Sequence, residues 1–251
     1  STLTGTLNAA SRDARLTSIN GSSVNAGNLT GASVTALSDN IMVLGNVLAT
    51  EGDISLTAVN GLTTGDISGP AGSALIVNAG GTLSTGVIDV SNDFTLDTGS
   101  DLDIGGISVG DDIRITTTGS ANFGTLTSRG TGVDNEEDGG NIVLSSSGGL
   151  FVNHAEAGQN FSATAASFQT GPNTIITGGD IVIATSGDIL LGNSQAGGFI
   201  SAQSTAGLID FGTMTSGASS ARSSNAMRSN ACGAASRPRG AMASACASAS
   251  A

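Results

Sequence analysis

The feature that most constrains this chain is a short repeat. Lines begun after the glycine-rich turns, at residues 53, 74, 93, 112, 141, 160, 180 and 199, open DISL, ALIV, DFTL, DIRI, NIVL, NFSA, DIVI and FISA. Their spacings are 21, 19, 19, 29, 19, 20 and 19 residues. A period of this size marks a stacked repeat architecture. The second position of every line is large and apolar: Ile54, Leu75, Phe94, Ile113, Ile142, Phe161, Ile181 and Ile200. The fourth is apolar as well: Leu56, Val77, Leu96, Ile115, Leu144, Ala163, Ile183 and Ala202. Residues two apart on a strand share a face. Each line is therefore expected to open with a strand that points these two side chains inward.

About ten residues into most lines a second short apolar stretch follows, as at Leu102–Ile104, Phe123–Leu126, Leu150–Val152, Ile189–Leu191 and Leu208–Phe211. Turn sequences such as TGS at 98–100, TTGS at 117–120 and SSGG at 146–149 separate the stretches. Nineteen residues are too few for a βαβ unit, which takes about 30. They suit one coil of an all-β, right-handed parallel β-helix, a β-solenoid of about ten coils in which neighbours share a continuous core. The single 29-residue spacing is explained by an inserted acidic loop, TGVDNEEDGG, at 131–140. The lines at 15–33 and 34–52 fit less well, because Thr35 stands at the second position. They are expected to continue the same solenoid less regularly.

Charge divides the chain in two. Residues 1–217 hold all 20 acidic residues and four arginines, a net of −16, whereas residues 218–251 hold four arginines and no acid, a net of +4. That tail contains both cysteines, Cys232 and Cys246, and no Ile, Leu, Val or Phe. A segment with so little to bury is expected to be disordered, or to be the product of a shifted reading frame. The two-part reading is thus a β-solenoid over 1–217 and a low-complexity basic tail over 218–251. The acidic body disfavours nucleic-acid binding, since it repels phosphate. No run of 18 apolar residues is present to form a transmembrane helix. Glycine shows no three-residue period, which excludes collagen, and the abundance of Thr, Ser, Gly and Val disfavours a helical bundle.

Coils opening G-D-I, with Gly, Ser, Thr and Asn in the turns, resemble the filamentous haemagglutinin class and the passengers of autotransporters. The best matches are GDDIRITTTGSANFGTLTSRG at 110–130 and SGDILLGNSQAGGFISAQSTAGLIDFGTMTSG at 186–217. The resemblance covers about 15–217. It implies a right-handed β-helix exported to the bacterial cell surface as a stalk or adhesive segment, and it carries over no catalytic residues. The chain starts at Ser1 without a signal peptide, so an internal fragment of a longer exported protein is expected. Exposed strand edges at the ends of such a fragment predict end-to-end self-association.

Few residues carry chemistry. Asp134, Glu136 and Asp138, followed by Gly139, resemble the start of a Ca²⁺ loop, but the twelfth position is Ser145 where a bidentate Glu belongs. A solvated loop is the plainer reading, and no other cofactor is implied. Asp97, Asp101, Asp103, Asp111 and Asp112 could meet on adjacent coils as the paired carboxylates of a polysaccharide-cleaving enzyme. Trp, Tyr and Lys are missing, however, and Arg114 is the only cation between Arg15 and Arg129. Asp after Gly is also what tight turns favour. His154 is the one histidine, and a surface position is expected for it. Asn78, Asn92, Asn122, Asn141 and Asn160 are expected at coil corners, where amides can stack as ladders. The primary expectation is a non-enzymatic stalk or adhesive surface contacting a host or abiotic surface, with a carbohydrate or protein receptor. The alternative is a polysaccharide-binding or polysaccharide-cleaving β-helix of the tailspike kind.

Overall fold

The structure is a computed structural model that describes residues 7–9, 12–18, 21–70, 72, 74–78, 80–130, 140–172, 175–217 and 221–224. All described regular structure is β, and the sheets are parallel. The chain winds as a three-sided β-solenoid. One side carries a five-residue strand from each coil, such as Ile54–Ala58, Phe94–Thr98 and Ile181–Thr185, and these form an eleven-stranded sheet. The other two sides carry shorter strands, such as Gly61–Thr63 and Ile67–Gly69, which join in an eighteen-stranded sheet. At about 4.8 Å per parallel strand, eleven strands make a rod roughly 50 Å long.

The period works because each coil sits in register on the last. Phe94 lies against Ile113, Ile113 against Ile142, Ile142 against Phe161 and Phe161 against Ile181. All of these side chains are fully buried. Apolar groups two apart thereby line one axial core that no single coil could close. Phe161 meets Phe168 edge to face across that core, with ring centroids 6.0 Å apart. Hydroxyls close the corner after the five-residue strand. Thr117 Oγ1 donates to the Ser100 carbonyl of the preceding coil, and Ser146 Oγ donates to that of Gly119.

Two expected phases are corrected. Ala74 and Ile76, not Leu75 and Val77, occupy the inward positions of their strand, stacked on Ile54 and Leu56. Residues 34–38 are fully regular: Val34 and Ala36 stack on the same two residues and are buried. In both segments apolar residues occupy both alternation phases, and stacking on the neighbouring coil decides between them. Four residues of the segment expected as a tail are described. Ala221–Ser224 pairs in parallel with Ile200–Ser204, extending the sheet by main-chain hydrogen bonds that need no apolar side chain. Residues 225–251, including Cys232 and Cys246, lie outside the described residues.

Asn and Asp side chains tie coil to coil. The Asn28 Oδ1 accepts the Asn46 N–H, Asn46 Oδ1 accepts the Asp66 N–H, and Asp66 Oδ1 accepts the Val87 N–H. On another corner the series runs from Asp93 through Asp112, Asn141, Asn160 and Asp180 to the Phe199 N–H. Asn141 and Asn160 thus form the expected ladder, with an added Asn160 Nδ2 to Asn141 Oδ1 bond of 3.0 Å. Asn122 instead pairs with Asp103 on the outside of a strand. The Asn92 backbone bridges Gly72 and Asp111, and the side chain of Asn78 lies outside the described ones. The glycine before several of these corner residues is explained by the same contact. A Cβ on Gly65 would stand 2.1 Å from Asn46 Oδ1, and one on Gly198 would stand 1.9 Å from Asp180 Oδ1.

Gly65→Ala should therefore destabilise the rod by about 1–3 kcal/mol through overpacking, and Asn46→Ala by about 1 kcal/mol through loss of a hydrogen bond. The double variant should be more stable than the sum predicts, with a coupling of about 0.5–3 kcal/mol. Denaturant midpoints of the four proteins check this. Strict additivity would contradict the shared contact.

Candidate contact face on the long strands

Three successive coils depart from the three-sided pattern. In each, the two shorter strands fuse into one: Leu102–Val109, Ala121–Ser128 and Gly149–Ala157. The cause is local. The corner position held by Asn46 and Asp66 in earlier coils is taken here by Gly106, Thr125 and His154. The ladder from Asn28 stops at Val87, and the backbone runs on extended. Glycine allows the close approach that this requires, since a Cβ on Gly124 would lie 1.9 Å from the Gly105 carbonyl oxygen. The result is a continuous three-strand surface that still bends where two outward residues follow one another, since Ile104 and Ile107, Phe123 and Leu126, and Val152 and Ala155 are all buried.

The outward side chains of this face are polar with one aromatic exception. Asp103, Asn122 and Phe151 stack as register partners, and Gln169 continues the column. Asn122 Nδ2 donates to Asp103 Oδ1 at 2.8 Å. A parallel column holds Ser108, Thr127 and Glu156. His154 Nε2 lies 3.1 Å from Glu156 Oε1 on the same strand, so the histidine is on the outer surface, as expected. Arg129, just past the second long strand, donates from Nη2 to Ser108 Oγ at 2.6 Å. A shallow groove lined by Ser68, Pro70, Asp89, Ser91, Gly110 and Arg129 borders the face.

The carboxylates proposed as a catalytic group do not converge. Asp97 is exposed on the five-residue side, beside Thr116. Asp101 accepts the Ser120 N–H at another corner, and Asp103 belongs to the long-strand face. Asp111 and Asp112 are buried at a third location. Asp112 accepts the Asn141 N–H at 2.8 Å and is paired with Arg114, whose Nη1 also stands 3.8 Å from Asp93. Asp101, Asp111 and Asp112 accept main-chain N–H groups of the next coil, and Asp103 accepts a side-chain amide, so these acids tie coils together at corners instead of only capping their own turns.

The two ends of the acidic insertion, Gly130 and Gly140, lie beside this face. Asp134, Glu136 and Asp138 lie outside the described residues, but the neck of the loop is defined. Gly130 and Gly140 take left-handed backbone with φ of 66° and 89°. A Cβ on Gly140 would be 2.9 Å from Gly130 Cα. The buried Asp111 Oδ1 accepts the Gly140 N–H at 3.0 Å. The coils on either side stack as if nothing intervened. Among the described residues no group of three or more His, Cys, Asp or Glu is placed to hold a metal ion, and no helix is long and apolar enough to cross a membrane.

Sequence reasoning missed Asp103, Asn122 and Phe151 as a set. The available signal was the absence of an Asn or Asp both at the corner and at that of the preceding coil, which first occurs at Gly106 and continues at Thr125 and His154. Compared with protein-family models, curated proteins and solved structures, the chain gives no match.

Removing the acceptor at the loop neck should be visible locally. Asp111→Ala should raise the exchange rate of the Gly140 amide by roughly ten- to a hundredfold, the equivalent of about 1–3 kcal/mol for an unsatisfied buried donor. Asp111→Asn, which keeps an oxygen there, should restore most of the protection. Unchanged exchange in Asp111→Ala, read by NMR, would show that this bond does not hold the neck.

Proposed function

We propose that the chain is a structural and adhesive segment of an exported bacterial exoprotein, a stiff rod displayed outside the cell whose long-strand face makes the surface contact. The observation that carries this reading is coil-on-coil register along the described rod, combined with one broad polar face set apart from the regular coils. Continuous stacking gives stiffness, because each coil is held by main-chain bonds, a shared core and Asn or Asp oxygens. Resemblance of the G-D-I coils to filamentous haemagglutinins and autotransporter passengers supports export. The acidic exterior supports a rod that stays dispersed. A non-catalytic role is favoured by how the carboxylates are placed, since Asp101, Asp111 and Asp112 accept backbone amides at corners, and Asp97 and Asp103 lie on different sides of the rod.

Two measurements test this. Antibody against the chain should label intact cells that make it, and labelling confined to lysed cells would contradict export. Beads coated with the protein should adhere to host-cell or abiotic surfaces several-fold more than albumin-coated beads. Equal adhesion would remove the adhesive part of the reading.

A further inference from the structure

We propose that the long-strand face binds the neutral pyranose units of a polysaccharide, with Phe151 as the stacking platform and Asn122 and Asp103 as the hydroxyl partners. The inference deepens the adhesive reading and rests on it.

The argument starts from what the face can offer. Its strands are paired on both edges by the coils above and below, so no main-chain groups remain for an added β-strand. Recognition must come from side chains. In the column Asp103, Asn122, Phe151 and Gln169, successive groups are spaced by about 4.8 Å, the distance between parallel strands. Phe151 is outward and half-buried, whereas Phe94, Phe123, Phe161 and Phe168 are fully buried. Its backbone is in register between Asn122 and Gln169. The Asn122 to Asp103 hydrogen bond fixes the amide orientation and presents the carboxylate beside it. An amide and a carboxylate together can donate and accept.

A ring flanked by fixed hydrogen-bonding groups suits a ligand with one apolar face and a rim of hydroxyls, which is the chemistry of a pyranose. Charge narrows the class. Asp103 and Glu156 on the face outnumber Arg129 beside it, and the body carries −16, so anionic glycans and nucleic acids are disfavoured. A protein partner fits less well. A stable protein interface buries about 800 Å² on each side around an apolar centre, and one half-buried ring is the main apolar group in this column.

The full-length chain can be tested by saturation-transfer NMR with three neutral tetrasaccharides: cellotetraose, maltotetraose and chitotetraose. At least one should receive saturation from the protein. Phe151→Ala and Asn122→Ala should each weaken that response at least tenfold, Phe151→Tyr should retain it, and Gln203→Ala on another side should leave it unchanged. Circular dichroism checks that each variant keeps its β-structure. Absence of transfer to all three sugars, or an equal response in Phe151→Ala, overturns the proposal. So does concentration-dependent self-association abolished by Phe151→Ala, which would assign the face to a second copy of the chain. Protein-coated beads that still adhere to surfaces, without any response to the sugars, would leave the adhesive reading standing and remove only the pyranose assignment.

Discussion

Everything in this rod depends on the register with which one coil lies on the next. A coil of about twenty residues buries only half a core, and its strands have partners only in its neighbours. Stacking supplies both at once, which is why repeat proteins behave as nearest-neighbour systems. The Asn and Asp contacts give this register a direction. Each side-chain oxygen caps an N–H in the following coil, and the glycine in that following coil leaves room for it, as with Asn46 below Gly65 and Asp180 below Gly198. The recurrent Gly-Asp and Gly-Asn pairs therefore hold two halves of two different contacts. The glycine receives the coil before, and the acid or amide reaches the coil after.

Where that device is withdrawn, the cross-section changes. Gly106, Thr125 and His154 replace the corner Asx residues, and the two short strands join into one that keeps a bend. The same stretch of chain carries the acidic excursion, the buried Asp111 and Asp112, and the outward Phe151. A regular solenoid presents similar surfaces along its length, so a contact surface is distinguished by such departures. The insertion does not break the stack: Gly130 and Gly140 lie side by side, and Ile113 pairs with Ile142 across the ten added residues.

The period, the all-β solenoid and most inward residues were legible from sequence because apolar residues alternate with polar ones in lines such as DFTL and DIRI. Phase was not legible where alternation fails. ALIV offers apolar side chains to both faces, and only the coil below selects Ala74 and Ile76. SVTAL is ambiguous for the same reason, and Val34 and Ala36 are selected. Asp and Asn were readable as turn residues, but a single sequence does not reveal that their oxygens reach the next coil. The column of Asp103, Asn122 and Phe151 was hidden because its members lie 19 and 29 residues apart. Only the register, with the excursion removed from the count, brings them together.

The most direct test of coil-on-coil register is a disulfide scan on the outer side of the five-residue strands, in a background with Cys232 and Cys246 replaced by Ser. Ser162 and Val182 are register partners, and parallel neighbours about 4.8 Å apart fall within the Cα spacing of about 4.4–6.8 Å that a disulfide spans. The account predicts rapid oxidation of the Ser162→Cys/Val182→Cys pair with the fold retained, and slow oxidation of Ser162→Cys/Ala184→Cys. Preferred cross-linking of the 162–184 pair would contradict the register on which the fold and the contact face both depend.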